Sequence, residues 1–482
     1  MNVNPITRLD YPDPDVIRVE DTYYMISTTM HFMPGCEILQ SFDLVHWEHV
    51  TYVYETLDHT DAQQLKSGQN IYGQGMWAAS LRYHEGRFCI CFVANDTRKT
   101  YLYTSEKIDG PWKKQLIEGF YHDGSLLFDE DGRNYIVYGN DEIWITELNE
   151  DLTAPKKDGL HRLLVSDHKN PELGYEGSHI QKINGYYYIF LVHSLRDRWM
   201  RTEACFYSDS LEGEFTGGDV LCDDRGYCGQ GVAQGGIVDT PDGKWYAMLF
   251  QDSGAVGRIP ILLPVTWKDH FPFFGQNGHV PEEIEVHSTR PGYIYQPLVG
   301  SDDFCNGLLP RWQFNHDPDP RYYHLDALQG TYTITTREVC TELTQAVNTL
   351  TQRMSYPSCA AEVTVDASAL KEGDVAGLCA LQSCYAAVGI TKHHGKYEVL
   401  MLDKKEDGIL DMTERTVVES HQMDFRLEAD FCNMKDEARC YYRVNKGDWL
   451  PIGTVHKLYF KLDHFTGCRF GLFCYAAEET GG

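Results

Sequence analysis

The chain has 482 residues, and its 71 Asp and Glu against 42 Lys and Arg give a formal net charge of −29. That charge argues against binding to nucleic acid, which needs a basic surface, and against binding to an anionic membrane. A hydrophobic fraction of 42% is enough for a sizeable core, and no run of 18 apolar residues indicates a membrane-spanning helix, so the sequence predicts an acidic globular protein.

The start of the chain and its cysteines bear on the compartment. Residues Met1 to Asp10 lack the basic and apolar segments of a secretory signal. The 15 cysteines are irregularly spaced, none forms a Cys-x-x-Cys pair, and Cys89 and Cys91 would share one face of a strand, where they are poorly placed to bridge. We therefore expect reduced thiols and a cytoplasmic protein.

Five segments in the first 300 residues or so share one pattern: a lead residue, a strand, a tight turn and a second strand rich in aromatic residues. Turns such as Asn184-Gly185 and Asp242-Gly243 are strong hairpin signals. In each segment the lead residue lies eight positions before the turn, and the segments recur every 46 to 64 residues. This spacing is typical of a β-propeller, so we predict an all-β chain whose residues 1–298 form five blades.

The lead residues occupy equivalent positions at the start of each blade's innermost strand, so they should converge at one end of the propeller axis. They are Asp13, Trp77, Asp123, Glu176 and Gln234. Two carboxylates facing a glycosidic bond suffice for its hydrolysis, and a third can tune the proton affinity of its neighbour. An indole offers a sugar ring a flat apolar surface. The ring of lead residues thus predicts a carbohydrate site.

A hard-cation site is the rival interpretation of three acids, since calcium takes carboxylate oxygens, but no EF-hand loop supports it. The sequence also lacks a Gly-x-Ser-x-Gly elbow, a phosphate-binding Gly-x-x-x-x-Gly-Lys-Ser/Thr loop and a His-Glu-x-x-His zinc motif.

Four segments resemble the signature sequences of glycoside hydrolase family 43: Tyr11-Pro12-Asp13-Pro14-Asp15, Met76-Trp77-Ala78-Ala79, His122-Asp123-Gly124-Ser125 and Tyr175-Glu176-Gly177-Ser178. The resemblance implies a five-bladed propeller and an inverting mechanism. By position it implies Asp13 as general base, Glu176 as general acid and Asp123 as the auxiliary acid.

The same resemblance implies three binding residues. Trp77 matches the aromatic wall of the sugar pocket, Arg258 matches an arginine that binds sugar hydroxyls, and Phe32 lies in a segment that resembles the loop at the pocket mouth. Many members of the family carry an axial His in the fifth blade, where this chain has Gln234. Calcium on the propeller axis is therefore left open, and no metal ligand is assigned.

The pattern changes near residue 300, and we expect residues 299–482 to form a jelly-roll-like, concanavalin A-like β-sandwich that resembles the second domain of some family members. Whether the sandwich closes one side of the pocket or is a structural or sugar-binding appendage is left open. The chain ends at Gly482, before the last strand usual in those members, so truncation is also left open.

The resemblance and the three acids together predict an inverting exo-acting hydrolase. Its substrates would be xylo- or arabino-oligosaccharides, from which it would release terminal β-D-xylose or α-L-arabinofuranose. Two alternatives remain: a non-catalytic carbohydrate-binding propeller, and a retaining enzyme acting on fructosides, although the Trp-Met-Asn-Asp-Pro-Asn run of that group does not occur. A homo-oligomer is possible, and the sequence does not choose between xylose and arabinose.

Overall fold

The computed structural model describes residues 2–482 and is built almost entirely of strands. The described residues include no helix long and apolar enough to cross a membrane. The only helical segments among them are single 3-10 turns at Lys66–Gly68, Gly254–Val256, Leu343–Gln345 and Cys432–Met434.

Five antiparallel sheets of four strands each follow one another along the chain. The strands of blades one to three are Asp15–Val19, Thr22–Ile26, Gly35–Ser41, Glu48–Tyr54; Met76–His84, Arg87–Ala94, Lys99–Ser105, Lys113–Ile117; Ser125–Phe128, Asn134–Asn140, Glu142–Leu148, His161–Ser166. The strands of blades four and five are Glu176–Ile183, Tyr186–Ser194, Arg201–Ser208, Thr216–Leu221; Val232–Asp239, Trp245–Asp252, Arg258–Lys268, Phe271–Phe274.

The first strand of each blade contacts the first strands of both neighbouring blades, so the five strands form a closed ring around one axis. Next to the ring, a short pairing of Asn2–Val3 with Glu283–Ile284 joins the two ends of the propeller sequence. The predicted hairpins have the expected geometry: Asn184 and Gly185 both adopt positive φ, at 50° and 84°, as a tight two-residue turn between right-twisted strands requires. The predicted five-bladed propeller is confirmed.

The C-terminal part is a β-sandwich. Its larger sheet has eight strands, in the order Leu410–Val418, Lys396–Lys404, Ala386–His393, Val375–Leu381, Arg469–Tyr475, Leu350–Arg353, Gln313–Asn315 and Phe32–Met33. The smaller sheet has four, in the order Ser358–Asp366, Gln422–Asp430, Glu437–Arg443 and Leu450–Lys457. Tyr323–Asp326 and Thr331–Ile334 form a separate hairpin. The sheets enclose an apolar core that includes Val388, Met401, Phe425 and Leu427.

The two domains are joined by a strand that the first contributes to the second. Phe32–Met33 leaves blade one and pairs with Gln313–Asn315 at the edge of the eight-stranded sheet. A buried ion pair of 2.8 Å between Glu37 and Arg353 lies nearby, and the Arg353 guanidinium carbon is 4.0 Å from the centre of the Tyr11 ring. Shared hydrogen bonds and a buried charge pair fix the sandwich against the end of the propeller that holds Tyr11 and the residues after it.

Candidate active site

A cavity of ≈ 280 Å³ lies at one end of the propeller axis. All five lead residues of the blades line it, together with Met30, Ala78, His122, Asn140, Arg201, Arg258, Leu462 and Phe465. The structure therefore brings Asp13, Asp123 and Glu176 into one cavity from three different blades, together with Trp77, Gln234 and Arg258.

The backbone at the start of the innermost strands aims these side chains inward. Asp13, Asp123 and Gln234 all adopt left-handed φ, at 52°, 46° and 64°. This conformation costs free energy in residues other than glycine and persists where the surrounding structure holds it. At Gln234 this conformation is stabilised by a hydrogen bond of 2.7 Å from the backbone N–H to Oε2 of Glu203. Burial raises the pKa of Glu203 well above its usual value.

Asp13 is fixed by two side-chain donors. Thr28 Oγ1 donates to its Oδ2 at 2.5 Å, and Arg258 Nη1 donates to its Oδ1 at 2.9 Å. The backbone of Arg258 is held in turn by Asp10, whose Oδ1 accepts from the Arg258 N–H at 2.7 Å and whose Oδ2 accepts from the Gly467 N–H at 2.8 Å. Arg258 Nε is buried without a hydrogen-bond partner among residues 2–482.

Glu176 and Asp123 line the same cavity from blades four and three. Asn140 Nδ2 donates to Glu176 Oε2 at 2.6 Å, and the backbone N–H of Gly177 donates to Asp123 Oδ2 at 3.1 Å. Between the two acids lies His122, whose Nε2 is 3.6 Å from Asp123 Oδ2 and 3.6 Å from Glu176 Oε2.

Neighbouring charges shift the pKa values of His122 and Asp123. Asp123 is the main cause that raises the pKa of His122 to about 9, with smaller contributions from Glu176 and Asp13 and against the effect of burial. Burial is the main cause that raises the pKa of Asp123 to about 6; the charges of Glu176 and Asp13 add to it, and His122 opposes it. At neutral pH the site therefore holds an imidazolium beside an ionised, buried carboxylate.

A loop of the sandwich closes one side of the cavity. The ring centre of Phe465 lies 5.7 Å from that of Trp77 and 4.5 Å from the guanidinium carbon of Arg258. Leu462, from the same loop, lines the cavity while 74% of its surface remains exposed. Of the two roles left open for the sandwich, the structure shows closure of the pocket.

Residues 3–272, more than half of the chain, match the sequence profile "Glycosyl hydrolases family 43". This chain belongs to glycosyl hydrolase family 43. Residues 301–482 match the profile "Beta xylosidase C-terminal Concanavalin A-like domain", in agreement with the sandwich. The predicted family is thus confirmed, and the match supports neither the non-catalytic propeller nor the fructoside-acting enzyme.

Three relatives illustrate what this family 43 enzyme resembles. It is 27% identical to a beta-xylosidase of Formosa agariphila over 100% of this chain and 88% of that protein. A solved structure described as bifunctional GH43-CE, from Bacteroides eggerthii, is 42% identical with a TM-score of 0.93, and the present chain spans only 62% of its length. A second solved structure is of a GH43 enzyme engineered to display both endo-xylanase and exo-arabinofuranosidase activity. It is 27% identical with a TM-score of 0.87, and the match covers 100% of this chain and 97% of that one.

Phe32 does not line the cavity. It is buried in the strand that joins the sandwich, and the Arg469 guanidinium carbon lies 3.4 Å from the centre of its ring. The resemblance predicts this segment at the pocket mouth, and its neighbour Met30 does line the cavity. Phe32 packs in the opposite direction because Phe32–Met33 pairs with the sandwich sheet.

Seven lining residues of the family 43 cavity were not singled out from the sequence: Met30, Ala78, His122, Asn140, Arg201, Leu462 and Phe465. His122 precedes Asp123 within a signature segment, which is a usable signal. Asn140 ends the second strand of its blade, and Arg201 Nε donates to Asp252 Oδ2 at 2.9 Å; neither position has a distinctive local pattern.

Two clusters in the propeller contain side chains that can ligate a cation. His122, Asp123 and Glu176 place one potential ligand atom each within 4.8 Å of one another, but the raised pKa of His122 makes it a cation itself. On the axis, Arg82 Nη1 donates to Asp15 Oδ2 at 2.8 Å and His179 Nδ1 lies 3.1 Å from Asp15 Oδ1. Calcium takes 6–8 oxygen ligands. One carboxylate that already neutralises a guanidinium does not fit that requirement.

Proposed function

We propose that this family 43 enzyme is an inverting exo-acting hydrolase that releases terminal β-D-xylose, α-L-arabinofuranose or both from xylo- or arabino-oligosaccharides. The observation that carries the proposal is the convergence of Asp13, Asp123 and Glu176 on one cavity walled by Trp77 and Phe465. Its ≈ 280 Å³ lies just below the roughly 300–1,000 Å³ of pockets for drug-sized ligands, as suits a site for one terminal sugar.

The proposed chemistry divides between Glu176 and Asp13, which line the same cavity. Glu176 donates a proton to the leaving glycosidic oxygen, and Asp13 accepts a proton from the water that attacks the anomeric carbon from the opposite face. The bond to the leaving oxygen breaks as the bond to water forms, so the configuration inverts. Thr28 and Arg258 keep the carboxylate of Asp13 in one orientation, and Asn140 does the same for Glu176.

The acid assignment is tested with Glu176→Gln on two kinds of substrate. A glycoside whose aryl leaving group is a good one needs little protonation, whereas xylobiose needs a general acid. We expect Glu176→Gln to reduce turnover of xylobiose by roughly 10²–10⁴-fold and of an activated aryl β-xyloside far less. The exposed Glu172→Gln is the matched control, and equal losses on both substrates would reject the assignment.

Stereochemistry and sugar preference need separate experiments. Proton NMR of the first sugar released from an aryl β-xyloside should show the α-anomer, and a β-anomer as first product would overturn the inverting mechanism. The ratio of kcat/KM values for aryl β-xyloside and aryl α-arabinofuranoside then determines which terminal sugar is preferred. The names of the relatives support both sugars.

We also propose a reducing, cytoplasmic compartment, supported by the 15 cysteines, which are all free thiols in the described part of the chain. Calcium is not proposed to take part in the reaction, because the axial residues Asp15, Arg82 and His179 fit it poorly. A homo-oligomer stays a prediction.

A further inference from the structure

A second cavity, of ≈ 270 Å³, lies between the propeller and the sandwich. We call it the anion pocket. Its lining residues are Asn4, Pro5, Arg8, Arg225, Tyr227, Gln251, Ser253, Tyr356 and Pro357. Among these described residues are two arginines and no Asp or Glu. The pocket is therefore positively charged, although the chain as a whole has a net charge of −29.

Neither arginine has a carboxylate within 4.0 Å among the residues that the structure describes. Arg225 is half-buried and donates only to neutral acceptors: Nη1 to Gln251 Oε1 and Nη2 to the carbonyl oxygen of Asn4, both at 3.1 Å. The nearest acid, Asp223, accepts from the backbone N–H groups of Arg225 and Val280 instead. The charges of Asp223 and Glu282 offset part of the cost of burying this guanidinium, and a bound anion would offset more of it.

The charges of Arg8 and Arg225 both act on the hydroxyl of Tyr356. Burial is the main cause that raises the pKa of Tyr356, and the positive charges of Arg225 and Arg8 both oppose it; both arginines line the same pocket as this tyrosine. The side chain of Arg8 is exposed and makes no hydrogen bond within the described chain, so it is free to bind a ligand. The hydroxyl of Tyr227 is buried and also lacks a hydrogen-bond partner in residues 2–482.

The remaining lining suits a small polyhydroxylated body. Two tyrosine rings and two prolines supply apolar surface, while Gln251 and Ser253 supply polar groups. The volume is close to the ≈ 280 Å³ of the catalytic cavity. Gln251 and Asp252 end the same strand, and because successive side chains point to opposite faces, Asp252 reaches Arg201 in the catalytic cavity while Gln251 reaches Arg225.

We propose that the anion pocket binds a sugar carboxylate, a hexuronate, with Arg8 and Arg225 holding the carboxylate and the tyrosine rings contacting the sugar. Planar carboxylates match the guanidinium fork. The proposal concerns binding only and does not depend on the reaction proposed for the catalytic cavity.

The test is calorimetric titration of the full chain with D-glucuronate, with D-glucose as the neutral control and inorganic phosphate as the non-sugar anion. We expect glucuronate to bind at least tenfold more tightly than glucose and phosphate. Arg8→Gln and Arg225→Gln should each weaken it at least tenfold. Arg87→Gln, which changes an exposed arginine in blade two, should leave it unchanged.

Three results would overturn the proposal: equal binding of glucuronate and glucose, glucuronate binding that survives Arg8→Gln, and phosphate binding without glucuronate binding. Arg225 has structural hydrogen bonds, so its variant is interpreted only if its thermal unfolding midpoint matches that of the parent. Arg8→Gln alone decides the matter if it does not.

Discussion

Nη1 of Arg258 donates a hydrogen bond of 2.9 Å to Oδ1 of Asp13, and the two side chains are only 2% and 7% exposed. Arg258 opens the third strand of blade five, and Asp13 precedes the first strand of blade one, so the pair joins the two blades at which the ring closes. An ion pair with so little water around it orients the carboxylate of the proposed base. Removing either charge alone would leave the other buried without its partner.

The first prediction concerns the stability of this buried ion pair. Removing one partner of a buried pair leaves the other charge uncompensated, at a cost of about 3–5 kcal/mol. We expect Arg258→Met to lower the free energy of unfolding by this amount in urea denaturation, and Asp13→Asn to lower it by a similar amount, since the buried guanidinium of Arg258 then lacks its carboxylate partner. The double variant should recover part of the loss without recovering activity. Additive losses in the double variant would show that the two side chains are not coupled.

The second prediction concerns pH. His122, with a pKa of about 9, is charged at neutral pH, and its charge opposes the rise in the pKa of Asp123. In His122→Asn that opposition is lost, so the pKa of Asp123 rises above about 6 and the acid limb of kcat/KM moves to higher pH, by about one unit. The control is His168→Asn, at an exposed position. An acid limb that stays in place or moves to lower pH would contradict this.

Stability gives an independent check on the same residue. Because the folded-state pKa of His122 lies above its unfolded value of about 6.5, its stabilising contribution is complete below that pH and is lost as pH rises through about 9. The difference in unfolding free energy between the parent and His122→Asn should therefore shrink between pH 6.5 and pH 9.

The third prediction concerns the sandwich loop. Phe465 contacts both Trp77 and Arg258, and such aromatic and cation–π contacts are worth about 0.5–2 kcal/mol each. We expect Phe465→Ala to lower kcat/KM by roughly 2- to 30-fold on every substrate, the equivalent of one such contact, and Phe465→Leu to lower it less. Phe273→Ala, at a half-exposed position on the outer strand of blade five, is the control. Unchanged kinetics in Phe465→Ala would mean that the loop does not form a wall of the working site.

The sequence predicts the ring of lead residues because the repeats place these residues at equivalent positions in the blades. Asp13, Asp123 and Glu176 share one register. Five equivalent strands around one axis bring such equivalent positions together at one end of that axis. Phe465 has no such register: it belongs to another domain and reaches the cavity only through the docking of two folds. The placement of Phe32 fails for the same reason, since a strand that leaves its blade to pair with a distant sheet carries no local signal.

The fourth prediction concerns metal removal. The axial carboxylate Asp15 already accepts from Arg82, and burial, which alone would raise its pKa, is outweighed by Arg82 and His179, so that its pKa is lowered. A carboxylate that is already ionised and paired with an arginine would bind calcium only weakly. We expect dialysis against EDTA to leave kcat and the unfolding midpoint unchanged. A loss of activity that calcium alone restores would show a cation site that these residues do not reveal.

The fifth prediction concerns acid stability at the domain junction, where three buried histidines meet. The ring of His31 lies 4.9 Å from that of His316 and 5.8 Å from that of His464, and His464 stacks on Tyr72 at 3.8 Å. Burial is the main cause that lowers the pKa of all three, to about 3 for His464, and the charges of Lys404 and Lys461 lower that of His464 further.

Because His464 stays neutral in the folded protein but binds a proton in the unfolded chain below about pH 6.5, its contribution to stability is present above that pH. It is lost as pH falls toward about 3. The loss amounts to about 1.4 kcal/mol for each pH unit. His464→Phe keeps an aromatic ring beside Tyr72 and cannot be protonated, so the fall in unfolding free energy between pH 6.5 and pH 4.5 should be shallower by that slope. His324→Phe, on an exposed hairpin, should keep the parent slope, and an unchanged slope in His464→Phe would show that this imidazole is already protonated in the folded protein.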